Sequence, residues 1–213
     1  LVAEAAPAEP DPTAFLYPFL DEDEHDLDAV LADVRASTVR KGADVVALRR
    51  RVDLEALERC AAAVRRRLTA GGRLLTFGNG GSSTDAQDAA SDALAAGWAA
   101  VALNDDVATI TAVANDVGYE NVFARQLIAL GRAGDVALAI STSGSSANIV
   151  AGLEEAHRRG MLTCAITGYD GGRLAECQWL DHLLVVRNDY VPRLQEVHAT
   201  MYHLLVQAMG ERA

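Results

Sequence analysis

The sequence predicts an α/β protein, with a mainly parallel sheet covered by helices on both faces and preceded by N-terminal helices. Two observations lead to this prediction. Segments of four to six apolar residues, the length of buried strands, alternate with longer segments of helical periodicity. In addition, 213 residues of which 50% are apolar are enough for one ordinary domain with its own core.

The N-terminal third is predicted to be a lead-in followed by helices. Four of the five prolines lie in residues 1–20, which favours an extended lead-in, and we expect its apolar segment FLYPFL to pack on the body or on a neighbouring subunit. A helical pattern is predicted from Asp21, where an acidic first turn at residues 21–24 precedes apolar residues at helical spacing. A second helix is predicted from Asp53, an N-cap residue type, to Ala70, and its inward-facing residues are predicted to include Leu54, Leu57, Cys60 and Val64.

The remaining chain is predicted to alternate between strands and helices. We expect residues 21–213 to form a single domain that includes the helical segment 21–71. Apolar, strand-like segments lie at 73–77, 101–103, 135–140, 162–167 and 183–186, and helices are predicted at 83–98, 107–114, 122–130, 147–159 and 192–209.

Charge and cysteine content narrow the range of functions. Thirty acidic residues against nineteen basic ones give a formal net charge of -11, which disfavours direct binding to nucleic acid. No apolar stretch approaches the ~20 residues of a membrane span, and the first residues lack the pattern of a signal peptide. Three cysteines without a C-x-x-C pair fit a reducing compartment. We therefore expect a cytoplasmic protein without a membrane or nucleic-acid partner.

Two strand ends are followed by turns rich in glycine and serine. The first turn reads GNGGSSTD at 78–85 and the second reads STSGSSAN at 141–148. Ligands of parallel sheets bind at the carboxyl ends of the strands, where glycines expose backbone N–H groups and helix N-termini attract anions. The pair of turns therefore predicts a phosphate site, with ordinary serine-capped turns as the alternative. Neither turn matches a nucleotide-binding glycine motif, which disfavours nucleotides.

Four motifs in this order resemble one family. FGNGGSSTDAQD, VANDVGYENVF, GRAGDVALAISTSGSSANIV and PRLQEVHATMYHLL are similar to segments of the sugar isomerase (SIS) domain, and most of all to those of the phosphoheptose isomerases. The similarity extends from about Asp53 to Met209. It implies a three-layer, doubly wound fold, a sugar-phosphate substrate, and a homotetramer whose sites lie at subunit interfaces.

The resemblance also implies which residues bind the substrate. The second turn would hold the phosphate, the first turn would contact the sugar, and the AND triplet and the last helix would supply further contacts. The residues concerned are Asn79, Gly80, Gly81, Ser82, Asn115, Asp116, Ser141, Thr142, Ser143, Ser146 and Gln195.

Isomerisation between a ketose and an aldose moves a proton between adjacent carbons through an enediol, and needs a base and an acid or metal. In the family, a His and a Glu four residues apart and a Gln and a His eight residues apart bind zinc, and that Glu and last His are the acid–base candidates. The matching positions here are Asp88, Asp92, Gln195 and His203. The resemblance thus implies a divalent metal, zinc first, on these four residues, with Asp92 and His203 as the catalytic pair.

Three functions stay open at this level. The first is an isomerase that converts sedoheptulose 7-phosphate to D-glycero-D-manno-heptose 7-phosphate. The second is a non-catalytic SIS module, either a sugar-phosphate-binding regulator or a scaffold that associates with the replication initiator. The third is an isomerase of a hexose phosphate. The aspartates at 88 and 92, which replace His and Glu, favour the non-catalytic module, whereas the retained Gln195 and His203 favour the enzyme.

Overall fold

Residues 27–212 are described by a computed structural model. Their five strands are β1 (Leu74–Gly78), β2 (Ala100–Ala102), β3 (Val136–Ser141), β4 (Leu162–Thr167) and β5 (His182–Val185). The strands form one sheet in the order β2-β1-β3-β4-β5, and every neighbouring pair is parallel. The carboxyl ends of β1, β3 and β4, which precede the glycine turns and the loop beyond Thr167, therefore lie at the same edge of the sheet.

Helices cover the sheet on both faces, as predicted. The described residues form α1 (Leu27–Arg49), α2 (Leu54–Thr69), α3 (Gly81–Ala95), α4 (Val107–Val117), α5 (Val122–Leu130), α6 (Ala147–Arg158) and α7 (Val191–Met209). One core cluster joins the sheet to α2, α3 and α7, and a second joins the opposite face to α5 and α6. The fold is thus three-layered.

The strand sequence explains why β3 lies at the centre. All six residues of β3 are buried, because helices cover the sheet on both faces. Val136, Leu138 and Ile140 belong to the cluster with α2, α3 and α7. Ala137 and Ala139, which alternate with them, belong to the cluster with α5 and α6.

The chain divides into two units, one before Ala43 and one from Ala43 to Ala213. In the first unit, α1 exposes Leu31, Val34 and Val39. In the second unit, the end of the same helix buries Val45 and Leu48 in the core. The predicted single domain over 21–213 stays a prediction.

Most predicted elements are confirmed to within a few residues, and the strand at 162–167 is matched at both ends. Two details are wrong. The helix predicted from residue 83 begins at Gly81 and ends at Ala95, and Leu54 is 55% exposed because it directly follows the N-cap Asp53. The predicted lead-in at 1–20 and the helix start at Asp21 lie outside the described residues. Among the described helices, none is long and apolar enough to cross a membrane.

Candidate active site

The first glycine turn connects β1 to α3 without a side-chain cap. Gly80 is the N-cap residue, with φ of 56°, and no side chain accepts from the first N–H groups of α3. Asn104 holds the turn from the neighbouring loop, because its side-chain amide accepts from the Gly78 N–H (3.1 Å) and donates to the Gly78 carbonyl (2.9 Å). Ser82 is buried, and its N–H donates to the Asn79 carbonyl. The turn thus presents backbone donors in a fixed shape.

The second turn connects β3 to α6 and is built in the same way. Ser146 caps α6 without a side-chain hydrogen bond, which leaves the helix N-terminus open to an anion. The Ser141 hydroxyl accepts from the Gly144 N–H (3.2 Å), and the Ser143 hydroxyl accepts from the Ser145 N–H (3.3 Å). By contrast, α2 and α4 are capped by Asp53 and Asp106.

A neighbouring loop supports the second turn from behind. The Gly168 N–H donates to the Thr142 carbonyl, and the Leu174 N–H donates to the Gly144 carbonyl, each at 3.0 Å. A cavity of about 580 Å³ adjoins the turn, with Ser143, Tyr169 and Arg187 among its lining residues. The second turn is therefore hydrogen-bonded to the neighbouring loop on one side and accessible to a ligand on the other.

The two turns are joined by a pair of amides. Asn79 Nδ2 donates to Asn148 Oδ1 (2.8 Å), and Asn148 Nδ2 donates to Asn79 Oδ1 (2.9 Å). The Tyr119 hydroxyl donates to the same Asn79 Oδ1 (3.1 Å). Asn148 and Tyr119 were not predicted as site residues, because they are 69 and 40 residues from Asn79 in sequence.

The remaining substrate contacts implied by the resemblance occupy two further places. Asn115 and Asp116 end α4 with exposed side chains, and the Asn115 amide donates to Asp116 Oδ1 (3.0 Å). Gln195 lies against the first turn, since a Cβ added to Gly81 would be 1.9 Å from Gln195 Nε2. Tyr119 follows the AND triplet closely and brings that loop to the first turn.

The predicted acid–base pair is in contact. His203 Nδ1 on α7 lies 2.5 Å from Asp92 Oδ2 on α3, and 49% of the His203 side chain is exposed. His203 Nε2 lies 3.6 Å from Asp88 Oδ2, which also accepts from the Tyr202 hydroxyl (2.6 Å). Burial and Asp88 hold the pKa of Tyr202 above its ordinary value, so this hydroxyl stays a donor.

Two titratable groups near this pair have shifted pKa values, and the first of them, Asp85, was missed from the sequence. Burial, with Asp88 next, raises the pKa of Asp85 to about 6, and its Oδ2 is buried without a described partner. Asp85 stands three residues before Asp88 and seven before Asp92, and this helical spacing was a usable signal. His198 is fully buried, and burial lowers its pKa to about 4.

The four predicted metal ligands lie in two places. α3 and α7 run in the same direction, with Gln195 beside Gly81 and His203 beside Asp92. Eight residues of helix separate Gln195 from His203, or about 12 Å along the axis. Both ring nitrogens of His203 face carboxylates, and no three His, Cys, Asp or Glu side chains of residues 27–212 are arranged to hold a metal. The four residues, as they are placed within one chain, therefore do not form a metal site, and the metal stays a prediction.

Comparisons with known proteins identify the family of this chain. The SIS domain profile matches residues 42–168. A phosphoheptose isomerase of Thermodesulfovibrio yellowstonii is 39% identical over 167 residues, which cover 76% of this chain and 82% of that protein. The structure of a phosphoheptose isomerase from Neisseria gonorrhoeae superimposes with a TM-score of 0.77 at 36% identity, over 84% of this chain and 99% of that one. The corresponding structure from Francisella tularensis gives 0.78 at 34% identity, over 86% and 99%. The chain therefore belongs to the SIS domain family and, within it, to the phosphoheptose isomerases.

Proposed function

We propose that this protein interconverts sedoheptulose 7-phosphate and D-glycero-D-manno-heptose 7-phosphate through an enediol. The observation that carries the proposal is the 2.5 Å contact between His203 Nδ1 and Asp92 Oδ2. An isomerase needs a proton-transfer group held in one orientation, whereas a regulator or scaffold that only binds sugar phosphate does not. The similarity to phosphoheptose isomerases adds support, and nothing in those comparisons favours the non-catalytic alternative.

The geometry gives the Asp92 carboxylate and the His203 imidazole different roles. Asp92 is within hydrogen-bond distance of Nδ1, whereas Asp88 lies 3.6 Å from Nε2, which is beyond that distance. His203 Nε2 is therefore the ring nitrogen left to exchange a proton with the substrate. In the forward direction a base removes a proton from C1 of the ketose, and the electron pair of that bond forms the C1–C2 double bond. The π pair of the C2 carbonyl moves onto O2, which takes up a proton to complete the enediol. Protonation at C2 and loss of the O1 proton then give the aldose. We assign proton transfer to His203 and its orientation to Asp92.

The second turn is proposed to hold the phosphate. Its donors are the open N-terminus of α6, which has 12 residues, and the hydroxyls of Ser141, Thr142, Ser143 and Ser146. This design suits a chain with a net charge of -11, because backbone dipoles attract a phosphate locally where the overall charge repels it.

We also propose that the active site is shared between subunits of a homotetramer. Asp92 lies eleven residues beyond Gly81, about 16 Å down α3 from the turn-bearing edge of the sheet. α4 buries none of its residues in the described chain, and α1 exposes Leu31, Val34 and Val39. A second copy that covers these apolar surfaces would also supply the missing half of the site.

Mixed oligomers test the shared site. Ser143→Asp, which places a negative charge in the phosphate turn, and His203→Ala should each abolish activity. When both are co-expressed with different tags and purified together, about a quarter of two-subunit sites should be intact, so activity should return. Activity that stays absent in mixed tetramers, or a monomer in light scattering, would contradict sharing.

The metal and the compartment stay predictions. Elemental analysis of the purified protein, with and without chelator, tests the ligand set Asp88, Asp92, Gln195 and His203 in the assembled protein. The free thiols of Cys60, Cys164 and Cys177 support the predicted cytoplasmic location.

Turnover of sedoheptulose 7-phosphate, followed by NMR, tests the proposed reaction. We expect the heptose aldose to form with the wild-type protein and at least about 100-fold more slowly with His203→Ala. Fructose 6-phosphate serves as the hexose competitor, because faster turnover of the hexose would favour the third function over the first. Binding of the heptose phosphate without turnover would favour the regulator.

A further inference from the structure

The amide of Asn79 makes an unusual set of contacts for a side chain at the rim of a ligand site. Its Oδ1 accepts two hydrogen bonds, from Asn148 Nδ2 (2.9 Å) and from the Tyr119 hydroxyl (3.1 Å). A carbonyl oxygen has two lone pairs, so this oxygen has no acceptor capacity left. Whatever Asn79 contributes to a substrate must therefore come from its nitrogen.

The nitrogen has one donor to spare. Asn79 Nδ2 carries two protons, and one is donated to Asn148 Oδ1 (2.8 Å). The second proton has no acceptor within the part of the chain that the structure describes. Because Asn79 is only half-buried, this N–H is accessible to a ligand in the first turn.

The two partners are placed by different elements. Asn148 lies in the first turn of α6, directly after the phosphate turn, and only 3% of its surface is exposed. Tyr119 follows Gly118 in a short 3-10 segment, and 52% of its surface is exposed. A buried partner and an exposed partner thus bind the same amide.

We propose that Asn148 and Tyr119 are positioning residues that hold the Asn79 amide so that a single N–H points at the substrate oxygen that gains negative charge. This inference rests on the proposed isomerase function. In that reaction the carbonyl oxygen of the open-chain sugar becomes an enediol or enediolate oxygen, and a fixed donor stabilises it more than the ground state. Asn79 is then a catalytic donor, and the other two residues act through it.

Isosteric variants measure the donor and its support separately. Asn79→Asp replaces the amide nitrogen by an oxygen, which removes the free N–H together with the N–H donated to Asn148 Oδ1, and we expect at least about a 100-fold loss in kcat, the usual effect of removing one donor to the reacting oxygen. Tyr119→Phe removes only the hydroxyl, and Asn148→Asp removes the donor to Asn79 Oδ1. We expect each to lower kcat by about 10-fold, with a smaller change in KM, because the amide is misoriented rather than lost. Binding of inorganic phosphate, measured by calorimetry, should not change in Tyr119→Phe.

The double variant separates positioning from direct action. If Tyr119 acts only through Asn79, then Asn79→Asp with Tyr119→Phe should be no slower than Asn79→Asp alone. Tyr190→Phe, at another exposed tyrosine, is the matched control and should keep full activity. Multiplicative losses in the double variant, or full kcat in Tyr119→Phe, would overturn the inference. A wild-type protein that does not turn over sedoheptulose 7-phosphate would refute the proposed function instead, which is a different outcome.

Discussion

The buried histidine of α7 gives a prediction whose size can be worked out. His198 is fully buried, and neither ring nitrogen has a hydrogen-bond partner among the described residues. Burial lowers its pKa from 6.5 to about 4; the Thr167 backbone favours the charged ring in part, without a hydrogen bond of normal geometry. The folded protein therefore resists protonation of a ring that the unfolded chain protonates readily.

The sign of the pH effect follows from this difference. Between about pH 6.5 and pH 4 the unfolded chain binds more protons at this site, so stability falls as the pH falls. With a pKa of 6.5 unfolded and about 4 folded, the loss between about pH 7.5 and pH 5 is about 2 kcal/mol. His198→Leu removes the titrating ring. When the pH falls from about 7.5 to 5, the free energy of unfolding of His198→Leu should therefore rise by about 2 kcal/mol relative to that of the wild type.

Urea denaturation at the two pH values, at one fixed protomer concentration, measures this difference. Val197→Ala is the control, because it removes a buried but non-titrating neighbour and should destabilise equally at both pH values. If the gap between His198→Leu and the wild type is the same at both pH values, then the ring is not held neutral in the fold and the reasoning fails.

Three further predictions concern the site. Asp85→Asn should raise the melting temperature above about pH 7 but not near pH 4. The pKa of Asp85 is about 6 in the folded protein and 3.8 in the unfolded chain, so its ionisation lowers stability as the pH rises between these values. An equal change in melting temperature at both pH values would contradict this prediction. Gly81→Ala should displace Gln195, whose Nε2 would lie 1.9 Å from the new Cβ, and lower turnover about 10-fold, while the free energy of unfolding in urea changes by less than about 0.5 kcal/mol; unchanged turnover would contradict it. Gly144→Ala, with φ of 60° and a Cβ 2.1 Å from the Gly171 carbonyl oxygen, should lose about 1–3 kcal/mol of stability and weaken phosphate binding in calorimetry; unchanged phosphate affinity would contradict it.

The fold was predictable because the strands are short, apolar and well separated. Helices were less certain at their ends, since a helix start depends on local backbone geometry. Gly80 and Gly81 suggested a loop, yet the chain enters α3 directly at Gly81. The inward face of α2 was predicted correctly for Leu57, Cys60 and Val64. The prediction for Leu54 was wrong because helical spacing alone does not show where the packed part of a helix begins.

The site was predictable in its parts but not in its assembly. The two turns share an edge because parallel strands end there, and this follows from the sequence pattern. The bridge from Asn79 to Asn148 joins residues 69 apart and depends on side-chain geometry that no local pattern encodes. The distance between Gln195 and His203 could have been predicted from the sequence, since eight residues of a helix span about 12 Å.

Isomerisation in D₂O tests the central claim most directly. The wild-type protein is incubated with sedoheptulose 7-phosphate, and NMR follows both aldose formation and deuterium at its C2. We predict an aldose labelled at C2, because a base that exchanges protons with solvent carries the proton through the enediol, and we predict that His203→Ala loses the reaction while its phosphate binding persists. An unlabelled aldose, undiminished turnover by His203→Ala, or a wild-type protein that binds the sugar phosphate and forms no aldose would contradict the account.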